Sequence, residues 1–179
     1  MDHVFNRFLA TQWEEGRALA ARSSVLTLTP IGALPPDRYV ARFDCRGLVR
    51  APDGAIVEHE GFEVGIRFPP DYCRQANGLV VVTWLEPDDV FHPNVGPGPG
   101  ARLFICIGDL APGTPLLDIV LRVYELVTYQ HVVMREDNAL NRDACVWARA
   151  HQDQLPIDAR TILGAVVPTP RKPAAEVAS

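Results

Sequence analysis

The sequence predicts an α+β domain, helices packed on an antiparallel sheet, from three observations: an amphipathic N-terminal segment, four successive strand-like segments, and two helical segments beyond a long Gly- and Pro-rich loop. With 179 residues the chain is long enough for one domain with a core and short for two. Apolar residues make up 47% and charged residues 22%, enough burial potential to offset chain entropy, so the chain is expected to fold alone. We assign residues 1–160 to the domain and 161–179, with Pro168, Pro170 and Pro173, to a mobile tail.

From Asp2 to about Ala21, Phe5, Phe8, Leu9, Trp13 and Leu19 recur at helical spacing while Arg7, Glu14, Glu15 and Arg17 are polar, which predicts an amphipathic helix. Ser24–Thr29 reads as a first strand, and Pro35-Pro36 marks the turn after it. Arg38–Arg50 and Phe62–Phe68 are the next strands, joined near the Pro52-Asp53-Gly54 turn; Phe62, Val64, Ile66 and Phe68 share one face. Gly78–Leu85, nearly all apolar, predicts the fourth strand of a meander. Between Pro87 and Gly100 the density of Pro and Gly predicts no regular structure. Leu116–Val127 is apolar enough to be a buried helix, with Thr114 as its cap and Pro115 as its first position. A last helix is expected to start near Asp137-Asn138 and run towards Gln154.

Composition excludes several function classes. A net charge of −5 with no basic stripe argues against nucleic-acid binding, which rests on clustered Lys and Arg. The N-terminal stretch, with Asp2, Glu14 and Glu15, reads as neither signal peptide nor membrane span, so a cytoplasmic protein with no membrane association is expected. Cys45, Cys73, Cys106 and Cys145 stand far apart with no CxxC pair, and His3, His59, His131 and His151 lack ligand spacing; no metal and no disulfide framework is expected.

Three motifs remain: His92-Pro93-Asn94, Cys106 within Leu103-Phe104-Ile105-Cys106-Ile107, and Asp137-Asn138-Ala139-Leu140-Asn141. Together, in this order and on this succession of elements, they resemble the ubiquitin-conjugating enzymes from the N-terminal helix to about His151. The resemblance implies a UBC-like fold: N-terminal helix, four-stranded meander, long active-site loop, then helices packed on the sheet. Asp71-Tyr72-Cys73-Arg74-Gln75-Ala76 stands where the family has Tyr-Pro, and Leu110-Ala111-Pro112-Gly113 lacks the family's Trp, so the chain looks like a distant member, of the kind found in bacterial ubiquitin-like modification operons.

The resemblance implies a carrier enzyme in which Cys106 takes a ubiquitin-like modifier as a thioester from an activating enzyme and passes it to an amine of an acceptor protein. It needs no cofactor, since ATP is used upstream by the activating enzyme. A thiol suits a carrier because thioesters exchange readily and stay reactive towards amines. Asn94 is implied as an amide donor to the developing oxyanion, a role typically worth about 2.7–4 kcal/mol, or as a brace for the loop. His92 and Pro93 are implied to fix the turn, and Asn141 to be structural. Asp137, or the adjacent Glu136, is implied to orient the incoming lysine and help remove its proton; either equally suits a helix N-terminus. Arg7 and Arg17 lie where this family meets its activating enzyme, and equally fit a solvated face. The alternatives are an inactive binding module of the same fold for a ubiquitin-like protein or partner subunit, and a cysteine hydrolase with His92 as base.

Overall fold

The computed structural model describes residues 3–98, 102–132 and 135–163. An N-terminal helix, α1 (His3–Ala20), precedes a four-stranded antiparallel sheet made of β1 (Leu26–Ile31), β2 (Arg38–Arg50), β3 (Ile56–Arg67) and β4 (Val82–Glu86), which lie side by side in chain order. A helical turn, α2 (Gly78–Val81), leads into β4, and a two-stranded hairpin, β5 (Val95–Pro97) and β6 (Leu103–Ile105), follows it. Helices α3 (Leu116–Val127) and α4 (Arg142–Ala150) complete the α+β architecture.

One face of the sheet carries the core. Alternation on β2 and β3 points Tyr39, Ala41 and Phe43, with Phe62, Val64 and Ile66, inward against Ile119, Val120, Val123 and Tyr124 of α3. Full burial of such aliphatic and aromatic side chains contributes about 1.5–3 kcal/mol each, which is why so apolar a helix sits beneath the sheet. Helix α1 buries Phe5, Leu9 and Leu19 in the same core, while Phe8 and Trp13 pack at its margin. It comes close at Gly16, where a Cβ would lie 2.8 Å from Leu116 and 2.9 Å from Leu28. A second apolar cluster, with Leu48, Phe91, Tyr129, Ala144 and Ala148, ties α4 to the far end of β2.

Several expectations need correcting. The fourth strand begins at Val82, because Gly78–Val81 coils into a helical turn capped by Asn77, whose Oδ1 accepts from the Leu79 N–H at 3.0 Å. A continuous apolar run has no period with which to separate turn from strand, and this one is split between exposed Leu79 and Val80 and buried Val81 and Val82. Thr114 does not cap α3. Its hydroxyl donates to the Ala111 carbonyl at 2.7 Å, Pro115 takes the cap position, and the Leu116 N–H donates to Oε1 of buried Gln12, reaching across from α1 at 2.6 Å. Helix α4 starts at Arg142 rather than near Asp137, since Asn141 is its cap, accepting from the Ala144 N–H at 3.0 Å.

The stretch from Pro87 to Gly100, expected to lack regular structure, contains β5, which pairs with β6 just beyond it. The ladder tolerates its proline because pairs alternate: Cys106 N–H donates to Asn94 O and Gly98 N–H to Arg102 O, whereas the intervening Pro97↔Leu103 pair is one where no N–H is needed. Packing also continues beyond residue 160, as Ile162 is 1% exposed in the core. The stretch from residue 164 to 179, which holds the proline-rich segment assigned to the tail, lies outside the described residues.

Candidate active site

The hairpin returns the chain so that Asn94 and Cys106 face each other one step beyond the Val95↔Ile105 pair. The Cys106 N–H donates to the Asn94 carbonyl at 2.8 Å. An ordinary antiparallel pair of this kind exchanges two backbone hydrogen bonds. Here the Asn94 N–H is turned to Nδ1 of His92 at 3.1 Å, and Nδ2 of the Asn94 side chain donates to the Cys106 carbonyl instead, at 3.3 Å. Both backbone polar groups of Cys106 are thereby engaged by one residue. Asn94 itself is buried, and its Oδ1 meets no donor among the described residues.

His92 is 2% exposed. Because Nδ1 accepts from Asn94, the ring proton sits on Nε2, which faces the Leu126 carbonyl without reaching hydrogen-bonding geometry. Burial pushes the imidazole down to about 3, only partly opposed by that carbonyl, so the ring is neutral. The Tyr129 ring packs on it at 4.5 Å between centroids, and the Tyr129 hydroxyl donates to the Phe91 carbonyl at 2.8 Å. Tyr129 holds φ 57° just past the C-terminus of α3, a position that favours glycine. These two contacts offset the strain. His92 is thus a fixed part of the turn, with neither nitrogen available to a thiol, which removes the geometric basis for a cysteine hydrolase using it as base.

The sulfur-bearing residue is partly exposed and lines a cleft of about 280 Å³ with the cap residue Asn77, Gly78 and Leu79 of α2, Ile107, Gly108, Asp109 and Leu140. Cys45 and Cys145 are buried, and burial pushes the Cys45 thiol up to about 12 and the Cys145 thiol up as well. Cys73 is partly exposed but lies in the loop after β3 and does not line this cleft.

The third motif reaches the site through its backbone and Leu140. The Asn141 N–H donates to the Pro93 carbonyl at 3.1 Å, and Gly96 lies so close to Leu140 that a Cβ there would stand 2.6 Å from the Leu140 carbonyl oxygen. Asn141 is structural, as the cap of α4. Asp137 turns away: its carboxylate pairs with Arg135 at 2.9 and 3.2 Å in solvent, and it does not line the cleft. Glu136 is engaged by Arg142 at 3.0 Å and Arg149 at 3.2 Å. Both acids expected beside Cys106 are engaged by arginines, and neither lines the cleft.

The acid that does line the cleft is Asp109, which sequence reasoning missed. Its signal was the run Cys106-Ile107-Gly108-Asp109, in which Gly108 at φ 79° reverses the chain after the cysteine. On α1, Arg17 is exposed and pairs with Glu14 at 3.0 Å, while Arg7 is exposed beside a groove bordered by Leu34 and Pro35. Among the described residues no group of three or more His, Cys, Asp or Glu could hold a metal ion, and no helix is long and apolar enough to cross a membrane.

Compared with known proteins, the chain matches no family model and no curated protein sequence.

Proposed function

We propose that this chain is a divergent ubiquitin-conjugating-enzyme-like carrier, working in the cytoplasm, in which Cys106 accepts a ubiquitin-like protein from an activating enzyme and delivers it to an acceptor amine. The single observation that carries the reading is the two-sided clamp of Asn94 on the Cys106 backbone, which holds a partly exposed cysteine at the mouth of a cleft. A carrier needs its thiol fixed yet open to two large protein partners in turn, and a shallow cleft beside a hairpin meets both demands. In loading, the Cys106 thiolate attacks the donor thioester carbonyl, the new C–S bond forms, and the activating enzyme's thiolate leaves. Of the two roles implied for Asn94, the geometry favours the brace, because its Nδ2 is already committed to the Cys106 carbonyl.

That same commitment favours the second reading, a binding module that holds a ubiquitin-like protein without forming a thioester, since it draws the Asn94 amide away from the oxyanion role. The two are separated by incubating the protein with its candidate activating enzyme, ATP and the modifier, then running gels with and without reducing agent. An adduct lost on reduction and absent in Cys106→Ala supports the carrier. Modifier binding without an adduct, unchanged in Cys106→Ala, supports the module.

A further inference from the structure

We infer that Asp109, and not Asp137, is the catalytic carboxylate that receives the acceptor lysine at Cys106; this rests on the thioester reading above. Asp109 shares the Cys106 cleft, whereas Asp137 is bound to Arg135 outside it. Three features fix its place. Ile107 and Leu110 on either side are buried, Gly108 makes the left-handed turn between cysteine and acid, and Nη1 of Arg122 donates to the Asp109 carbonyl at 2.8 Å. The side chain stays exposed, and among the described residues no cation pairs with it.

The remaining walls fit the rest of a lysine. Leu79 of α2 and Leu140 of the loop before α4 both line the cleft and are 47% and 39% exposed, so their apolar surface is open to an incoming chain. A lysine is an apolar stem with a cationic tip. Entering between the leucines, it would bury the stem against them and bring the ammonium to Asp109 beside the thioester. The carboxylate takes one proton from the ammonium, and the freed amine attacks the thioester carbonyl. The C–N bond forms, the C–S bond breaks, and Cys106 leaves with the second amine proton to become a thiol; Asp109 returns its proton to water.

The full chain tests this with small probes. Cys106 is acylated by exchange with the mercaptoethanesulfonate thioester of acetyl-glycyl-glycine, and acyl loss at the Cys106 peptide is followed by mass spectrometry with either Nα-acetyl-lysine methylamide or hydroxylamine as acceptor. Hydroxylamine is largely uncharged at neutral pH, so it needs no carboxylate to deprotonate it. Asp109→Asn is expected to acylate like the wild type, to discharge onto the lysine probe at least about tenfold more slowly, and to discharge onto hydroxylamine normally. Asp137→Asn is expected to match the wild type throughout. Normal lysine discharge in Asp109→Asn, or an equal loss with both acceptors, would overturn the role of Asp109 while leaving the thioester reading standing. Failure of wild-type Cys106 to accept the acyl group while Cys73 does would overturn both.

Discussion

Asn94 and Cys106 are joined by one backbone hydrogen bond of 2.8 Å and one side-chain hydrogen bond of 3.3 Å, where an ordinary strand pair would share two backbone bonds. The substitution follows from His92, whose Nδ1 has captured the Asn94 N–H. Asn94 therefore does with its side chain what its backbone cannot.

Removing that side chain has two opposed effects on stability. Asn94→Ala loses the bond to the Cys106 carbonyl, worth about 0.5–1.5 kcal/mol, but also removes a buried Oδ1 without a donor, a burden of about 1–3 kcal/mol. The expected net change is within about 1 kcal/mol by denaturant unfolding. Asn94→Asp instead places a carboxylate against the Cys106 carbonyl oxygen in a buried site, and should cost more than about 2 kcal/mol at neutral pH. That cost should shrink as pH falls, because the introduced carboxyl titrates above its ordinary range and, once protonated, donates where the amide did. Equal unfolding midpoints for the two variants at neutral pH would contradict this account.

The sheet, α1 and α3 were legible because each has a period that burial enforces: Phe62, Val64 and Ile66 alternate, and Phe5, Leu9 and Leu19 share a helical face. The site was legible only in part. His92, Asn94 and Cys106 could be named from the sequence, but their meeting depends on a hairpin whose proline occupies the one kind of ladder position that spares an N–H. Asp137 could be named from the sequence, but its direction could not be read. A carboxylate's direction is set by its neighbours, and Arg135 two residues earlier holds it. Leu140, an apolar residue in a polar stretch, is the side chain that turns to the cleft. Gln12 was equally hidden, since nothing local to α1 indicates that its amide caps a helix more than a hundred residues later.

Gly96 links the hairpin to the Asn141 cap. A methyl group there would stand 2.6, 2.8 and 2.9 Å from the carbonyl oxygen, carbonyl carbon and Cβ of Leu140, two of them backbone atoms with no rotamer to yield. Gly96→Ala should destabilise by about 1–3 kcal/mol, as overpacking does, and should displace Leu140 from the cleft. Gly54→Ala is the control: its φ of 88° carries conformational strain but a Cβ there meets nothing within 4 Å, so its cost should stay near 1–2 kcal/mol, about the price of one left-handed residue. Altered accessibility of Cys106 to a thiol reagent should accompany Gly96→Ala and not Gly54→Ala.

The neutral His92 couples stability to acid. An unfolded chain binds a proton at an ordinary histidine near pH 6.5, whereas folded His92 is held down to about 3 by burial. Above the unfolded value neither state is protonated and the residue contributes no pH dependence. Below it the unfolded chain takes up a proton that the folded one refuses, so stability falls by up to about 1.4 kcal/mol per pH unit until the folded value is reached. His92→Asn retains an acceptor for the Asn94 N–H but cannot titrate. Between about pH 6 and pH 4.5, its unfolding free energy should decline with a slope shallower than wild type by close to one proton. Parallel slopes would mean that the ring is not buried as described.

Thiol labelling tests the arrangement of all four cysteines without any partner. Cys45 and Cys145 are buried, and the Cys45 thiol, pushed up to about 12, is almost wholly protonated at mildly alkaline pH. At about pH 8 its thiolate fraction is roughly three orders of magnitude below that of an ordinary cysteine, even before access is considered. Iodoacetamide on the native protein should therefore modify Cys106 and Cys73, with Cys45 and Cys145 reacting only after denaturation. Asn94→Ala should speed labelling at Cys106 and leave Cys73 unchanged, because the brace restrains only the Cys106 backbone. Peptide mapping reads each site separately. A native protein in which Cys45 reacts as fast as Cys106 would undo the burial pattern on which the site is built; one in which Cys106 alone answers to Asn94 would tie the reactivity of the thiol to the turn that holds it.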